Sequence, residues 1–162
     1  MSQLSSATQN LNILLEILQI FIPWQVSQNN SCITIRFSMK KVEAEYTVNT
    51  SPGVLFSRLS TASGLAEWFA DDVRIDKDGL YHFSWDGEEE VAKLLSKKNG
   101  DFVKYHWMHL EDGTFLEFRL KTDPLTRDLA LMITYFVEED EEEEARALWD
   151  NQVEQLLHVL GS

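Results

Sequence analysis

From Lys41 to Val48 apolar and polar residues alternate. Val42, Ala44, Tyr46 and Val48 fall on one side, and Lys41, Glu43, Glu45 and Thr47 on the other. A period of two is that of a strand with one buried face. Asn49-Thr50-Ser51-Pro52 then ends the strand and caps a helix, with the proline near its first turn. Val54, Leu55, Arg58 and Leu59 give that helix a short face. Ser60-Thr61-Ala62-Ser63 restarts the signal, and Gly64–Phe69 reads as a second short helix ending in Trp68-Phe69.

Strand patterns follow, separated by turn signals. Val73–Asp76 is short and leads into Lys77-Asp78-Gly79. Tyr81, Phe83 and Trp85 alternate with His82, Ser84 and Asp86, and Asp86-Gly87 is a tight turn. Glu89–Lys97 runs to the turn Lys98-Asn99-Gly100-Asp101. Val103, Tyr105 and Trp107 alternate with Lys104 and His106. After Glu111-Asp112-Gly113 comes Phe115–Lys121, with Leu116, Phe118 and Leu120 on one side and Glu117 and Arg119 on the other. Pro124 breaks that run, and Leu129–Val137 is the last strand. Ala145, Leu148, Trp149, Val153, Leu156, Leu157 and Leu160 then recur at helical spacing, and Gly161 is placed to end the helix. The order is strand, two short helices, six strands, long helix. This predicts an α+β domain with no internal repeat.

The first 38 residues read differently. Glu16 and Arg36 are their only charges, and Ser, Asn and Gln surround the apolar stretch Ile13–Ile22. That stretch is too short to span a bilayer. It also lacks the preceding basic residues and following cleavage site of a signal peptide. Two readings are open: an N-terminal helix docked by its apolar side on the domain, or an extension upstream of a start at Met39. The change of composition at Met39 favours the second, with residues 1–38 as the extension and 39–162 as the domain.

A length of 162 residues suits one domain, and 44% apolar residues suit a folded one. The formal net charge of −13 repels phosphate backbones and anionic lipid surfaces, which argues against nucleic acid and membrane insertion as partners. The run Glu138–Glu144 is acidic throughout. Part of it complements the dipole of the closing helix, and the rest is expected in a solvated loop. Cys32 is the lone cysteine, in keeping with a reducing, cytoplasmic setting.

The element order and several local patterns resemble the START-like (SRPBCC) superfamily. That group includes polyketide cyclases, the birch pollen allergen family and the activators of heat-shock ATPase. The likeness runs from about Val42 to Leu160 and is nearest the last group and the small START-like proteins of bacteria. Leu65-Ala66-Glu67-Trp68-Phe69-Ala70 looks like the family's signature after its second helix, Val103–Trp107 like its central strand, and Trp149–Leu156 like its closing helix. The acidic run departs from the family's usual glycine-bearing turn. The resemblance implies a helix-grip fold, a curved antiparallel sheet of about six to seven strands wrapped around the long C-terminal helix, with a cavity between them. The residues agree, since the apolar faces of sheet and helix each need a partner.

The aromatic load, with five tryptophans and nine phenylalanines, marks the candidate site. Trp68, Phe83, Trp85, Tyr105, Trp107, Phe118 and Trp149, with Val153 and Leu156 further along the closing helix, are the expected lining of a ligand cavity. Core filling is the alternative for each taken singly. Tyr46, Tyr81 or Tyr105 could orient a ligand by its hydroxyl. His106 and His109 make an H-x-x-H across a strand end and a turn, a poor convergence for a metal. Asp71-Asp72 and Asp86–Glu90 are carboxylate clusters at turns. No nucleophile-plus-base pattern or glycine-rich phosphate loop occurs, so neither a catalytic residue nor a cofactor is assigned. The expected function is binding of a small apolar or amphipathic ligand. A co-chaperone-like interaction module and a cyclase or dehydratase enzyme are the alternatives.

Overall fold

Alternation along the strands becomes burial along one face of a single sheet. The computed structural model describes residues 39–161. The elements are β1 (Met39–Val48), α1 (Pro52–Ser60), α2 (Ala62–Leu65), β2 (Asp72–Ile75), β3 (Leu80–Trp85), β4 (Glu88–Lys98), β5 (Phe102–Trp107), β6 (Leu116–Thr122), β7 (Leu129–Glu138) and α3 (Glu142–Leu160). The sheet has seven strands in the order β1-β7-β6-β5-β4-β3-β2, and every pairing is antiparallel. With α3 against its concave face this is the helix-grip arrangement of an α+β domain. No helix among the described residues is long and apolar enough to cross a membrane.

The helices start and stop for local reasons. Ser51 caps α1 by accepting from the Val54 amide, with Pro52 at the first turn. The buried face of α1 is Leu55, Phe56 and Leu59. Val54, expected on that face, is 46% exposed. The second helix also departs from expectation. Thr61 caps it by accepting from the Gly64 amide at 3.0 Å, and it ends at Leu65. Beyond it the chain winds through turns in which the Phe69 and Ala70 amides both reach the Leu65 carbonyl, and this winding presents Trp68 and Phe69 to the sheet. Gly64 allows α1 and α2 to touch: a Cβ there would lie 2.4 Å from the Ser57 carbonyl oxygen and 2.8 Å from the Arg58 Cα.

The last helix has Glu142, Glu143 and Glu144 in its first turn and Gly161 in the left-handed conformation (φ +73) as its C-cap. The acidic run is thus divided between the end of β7, a turn and the start of α3. It is less solvated than expected. Burial, then the neighbouring acids, raise the pKa values of Glu138 and Glu141, and Glu142 pairs with Lys40 at 2.5 Å.

The two ends of the chain cover different halves of the sheet. α1 packs over β5 and β6 and α2 over β2, with Phe69 beyond α2 reaching Phe83 and Trp85 of β3, while α3 packs over β1 and β7. A shift of register between Leu94 and Ser96 of β4 leaves Leu95 exposed. The stretch Ile13–Ile22 and the alternative readings of residues 1–38 lie outside the described residues.

Candidate functional site

The concave face carries an aromatic lining because four strands place their inward positions in register. On β3 these are Tyr81, Phe83 and Trp85; on β5, Tyr105 and Trp107; on β6, Phe118; on β7, Tyr135, and all are buried. β4 lies between the first two rows but offers little bulk at its centre. Ala92 pairs with Tyr81 on one side and Trp107 on the other. Across that small residue the rings of β3 and β5 meet, Phe83 with Trp107 at 5.1 Å and Tyr81 with Tyr105 at 5.2 Å between centroids.

The cover supplies the remaining rings. Phe69 is the hub: its centroid lies 5.6 Å from both Phe83 and Trp85, 6.1 Å from Phe118, 6.4 Å from Trp107 and 6.0 Å from Trp149. Edge-to-face and offset arrangements dominate, as ring quadrupoles favour. Trp149 reaches Phe118 at 5.9 Å and Tyr135 at 5.5 Å. Val153 and Leu156 extend the same face of α3 and are buried. The nine side chains named from the sequence belong to one buried cluster. Phe69 and Tyr135 were not singled out from the sequence. The signal for Phe69 was its place beside Trp68; Tyr135 sits in an almost wholly apolar strand, where nothing marked it.

Three of the polar atoms within this lining are tied to backbone. The Trp85 indole donates to the Phe69 carbonyl at 2.7 Å, the Trp68 indole to the Arg58 carbonyl at 3.1 Å, and the Tyr105 hydroxyl to the Leu59 carbonyl at 3.1 Å. Burial first, then Tyr81, pushes the Tyr105 phenol well up. The buried Gln152 side chain donates to the Trp68 carbonyl, linking α3 to the segment after α2.

The other candidates lie elsewhere. Tyr46 donates from its hydroxyl to Asp150 at 2.7 Å, between β1 and α3. His106 meets the Thr114 carbonyl at 2.9 Å, whereas His109 meets Glu90 at 2.8 Å, so the two imidazoles are engaged separately. Among the described residues no three His, Cys, Asp or Glu side chains are arranged to hold a metal. Asp71 accepts from the Asp86 amide at 2.8 Å and so fixes the β3–β4 turn. Glu89 joins Arg74 and His82.

An antiparallel sheet gripping a C-terminal helix through an apolar face defines a ligand-binding type of module. The family model for the START-like superfamily domain matches residues 37–162, and the chain belongs to that family. Solved structures agree. A Bacteroides fragilis protein solved in solution is 35% identical, with a TM-score of 0.55 over 75% of this chain and 90% of that one. The Aha1 dimer of Colwellia psychrerythraea, at 16% identity, has a TM-score of 0.61 over 75% and 96%. XoxI of Bacillus cereus, at 13%, has a TM-score of 0.62 over 74% and 94%. The last two are similar in fold alone. No curated protein matches the chain significantly.

Proposed function

We propose that this domain binds a small apolar or amphipathic molecule between the concave face of the sheet and the helices covering it. The observation that carries the reading is the meeting of the two covers on the aromatic lining. Phe69 arrives from the α2 side and Trp149 from α3, and both rest on Phe118. Parting the covers there would open an apolar volume without breaking a strand pairing. The rings of Trp68, Trp85 and Tyr105 would keep their orientation, since their hydrogen bonds run within the sheet and the α1–α2 cover. Membership of a ligand-binding type of family supports the same reading.

The energetics are adequate. At about 25 cal/mol per Å², burial of about 330 Å² of apolar ligand surface offers roughly the 8 kcal/mol of micromolar binding. The costs of parting the rings and of association reduce that figure. A docking surface has less support. Among the described residues the exposed large apolar side chains Val54, Ile75, Leu95, Met108 and Leu125 stand on five separate segments. The reading includes no catalytic step.

The test is titration with medium-chain fatty acids, fatty alcohols and an apolar fluorescent probe, followed by tryptophan fluorescence. Binding should survive Tyr105→Phe and weaken at least about tenfold in Trp107→Ala, whose fold is checked by its cooperative melt. Wild-type affinity in a folded Trp107→Ala, or no binding of any probe to the wild type, overturns the reading.

A further inference from the structure

One line of contact between α3 and the sheet is polar. Glu142, Arg146 and Asp150 recur every four residues and form a stripe along α3, beside the apolar one. The stripe faces the inward row of β1. Its ends are fastened there, Glu142 to Lys40 at 2.5 Å and Asp150 to the Tyr46 hydroxyl at 2.7 Å. Arg146 between them is exposed and makes no hydrogen bond or ion pair with any described residue. The row of β1 between the two fastenings consists of Val42 and Ala44, which have nothing to offer a guanidinium.

Behind this gap, on the neighbouring strand, is Tyr135. It pairs in register with Val42, is 1% exposed, and its ring lies 5.5 Å from that of Trp149. Its hydroxyl oxygen is buried and has no hydrogen-bond partner among the described residues. Such a group is costly and rare, and it points to a partner that the described residues do not supply. Burial pushes the phenol's pKa up, the Arg146 guanidinium draws it back, and Glu142 and Asp150 push it further up, so the hydroxyl lies within the field of all three charges. Arg146 can only donate hydrogen bonds, and the Tyr135 hydroxyl has a proton to give. An acceptor placed at the seam could take a hydrogen bond from both. An anionic one would also pair with Arg146, whose helix neighbours Glu142 and Asp150 turn their oxygens to Lys40 and the Tyr46 hydroxyl.

We propose that the seam at Tyr135 and Arg146 is the polar end of the ligand site and takes the carboxylate of an amphipathic ligand whose chain enters the aromatic volume beside Trp149. The inference rests on the binding reading above. It predicts a head-group preference that an apolar pocket alone would not give.

The test compares decanoate with 1-decanol at neutral pH, by calorimetry and tryptophan fluorescence, on the wild type, Tyr135→Phe and Arg146→Gln. The wild type should bind decanoate more tightly than decanol. Each substitution should weaken decanoate about tenfold, the scale of a hydrogen bond to a charged group, and leave decanol within about twofold. Decanoate binding unchanged in both variants overturns the anchor and leaves the apolar site standing. So does an equal loss for both probes, which marks damage to the pocket. A higher melting temperature of Tyr135→Phe with unchanged decanoate affinity assigns the hydroxyl an internal water and also overturns the anchor. If neither probe binds the wild type, the binding reading and the anchor fall together.

Discussion

Phe69 and Trp149 stack with planes 11° apart and centroids 6.0 Å apart, although eighty positions separate them in the chain. This contact joins the cover built from the start of the domain to the cover built from its end. Either ring replaced by alanine should cost about 3–5 kcal/mol in urea unfolding, the range for a buried large aromatic. The double substitution should cost less than the sum by about 0.5–1.5 kcal/mol, the coupling of an aromatic pair. A loss under about 1 kcal/mol for Trp149→Ala would place that ring at the surface. Strict additivity would show that the two covers are held independently.

Gly64 is needed for contact rather than for its backbone conformation. It lies in α2, and the obstacle to a side chain is the Ser57 carbonyl and the Arg58 Cα of the helix packed against it. Backbone atoms cannot rotate out of the way as a side-chain tip can. Gly64→Ala should therefore destabilise by about 1–3 kcal/mol, the cost of overpacking, despite the better helix propensity of alanine. Shifting α2 also moves Trp68 and Phe69, so the near-ultraviolet circular dichroism of the tryptophans should change. A stabilised Gly64→Ala protein with an unchanged spectrum would show that the helices have room between them.

Most of this fold is legible in the sequence, and the exceptions have physical causes. Strict alternation identified the strands, because a side-chain period of two survives tertiary packing. The inward facing of Phe83, Trp85, Tyr105, Trp107 and Phe118 follows from it. What alternation does not carry is the winding of the chain after α2. Gly64–Phe69 has helical composition, yet its helix ends at Leu65, where one carbonyl receives three later amides. The hub position of Phe69 depends on that turn. Val54 was expected inside because it is apolar, but one short turn of α1 turns it outward. Tyr135 escaped notice because a tyrosine in an apolar strand looks like core. Only the missing partner of its hydroxyl sets it apart, and partners are not written in a period.

His82 should link stability to pH. On β3 its Nδ1 faces Glu89 at 2.8 Å and its Nε2 faces Asp76 at 3.1 Å, with Arg74 of β2 also bonded to Glu89 at 2.6 Å. The Glu89 carboxylate first, then Asp76, raises the imidazole's pKa above its usual 6.5, against burial and Arg74. A raised folded pKa means the folded state holds the proton more tightly. The stabilisation is therefore fully present below the unfolded value of about 6.5 and fades as pH rises through the folded value. At the acid end, Glu89 and Asp76 have lowered pKa values, chiefly through His82 and through the Leu80 amide respectively, and their share is lost as they protonate. The difference in urea midpoint between the wild type and His82→Gln should peak at mildly acidic pH and shrink toward pH 8. A difference that is flat from pH 5 to 8 would mean that the imidazolium adds nothing in the folded state.

Residues 39–161 supply a seven-stranded sheet and the helices that cover it, which gives the last prediction. Among the described strands β1 lies at the edge, and its inner positions Val42, Ala44 and Val48 are buried, with β7 and α3 packed against it. Its first turns are tied down by Lys40 to Glu142 and Tyr46 to Asp150. We propose that the domain folds without residues 1–38. A chain shortened to begin at Met39 should be soluble and monodisperse and should melt cooperatively within about 4 °C of the full chain, a shift on the order of 1 kcal/mol. It should also keep the near-ultraviolet signature of the stacked tryptophans. If it precipitates or melts far lower, the apolar stretch Ile13–Ile22 is part of the core. The docked-helix reading of the first 38 residues would then replace this one, and the outer edge of β1 or the seam beside Arg146 would be the first places to look for its contacts.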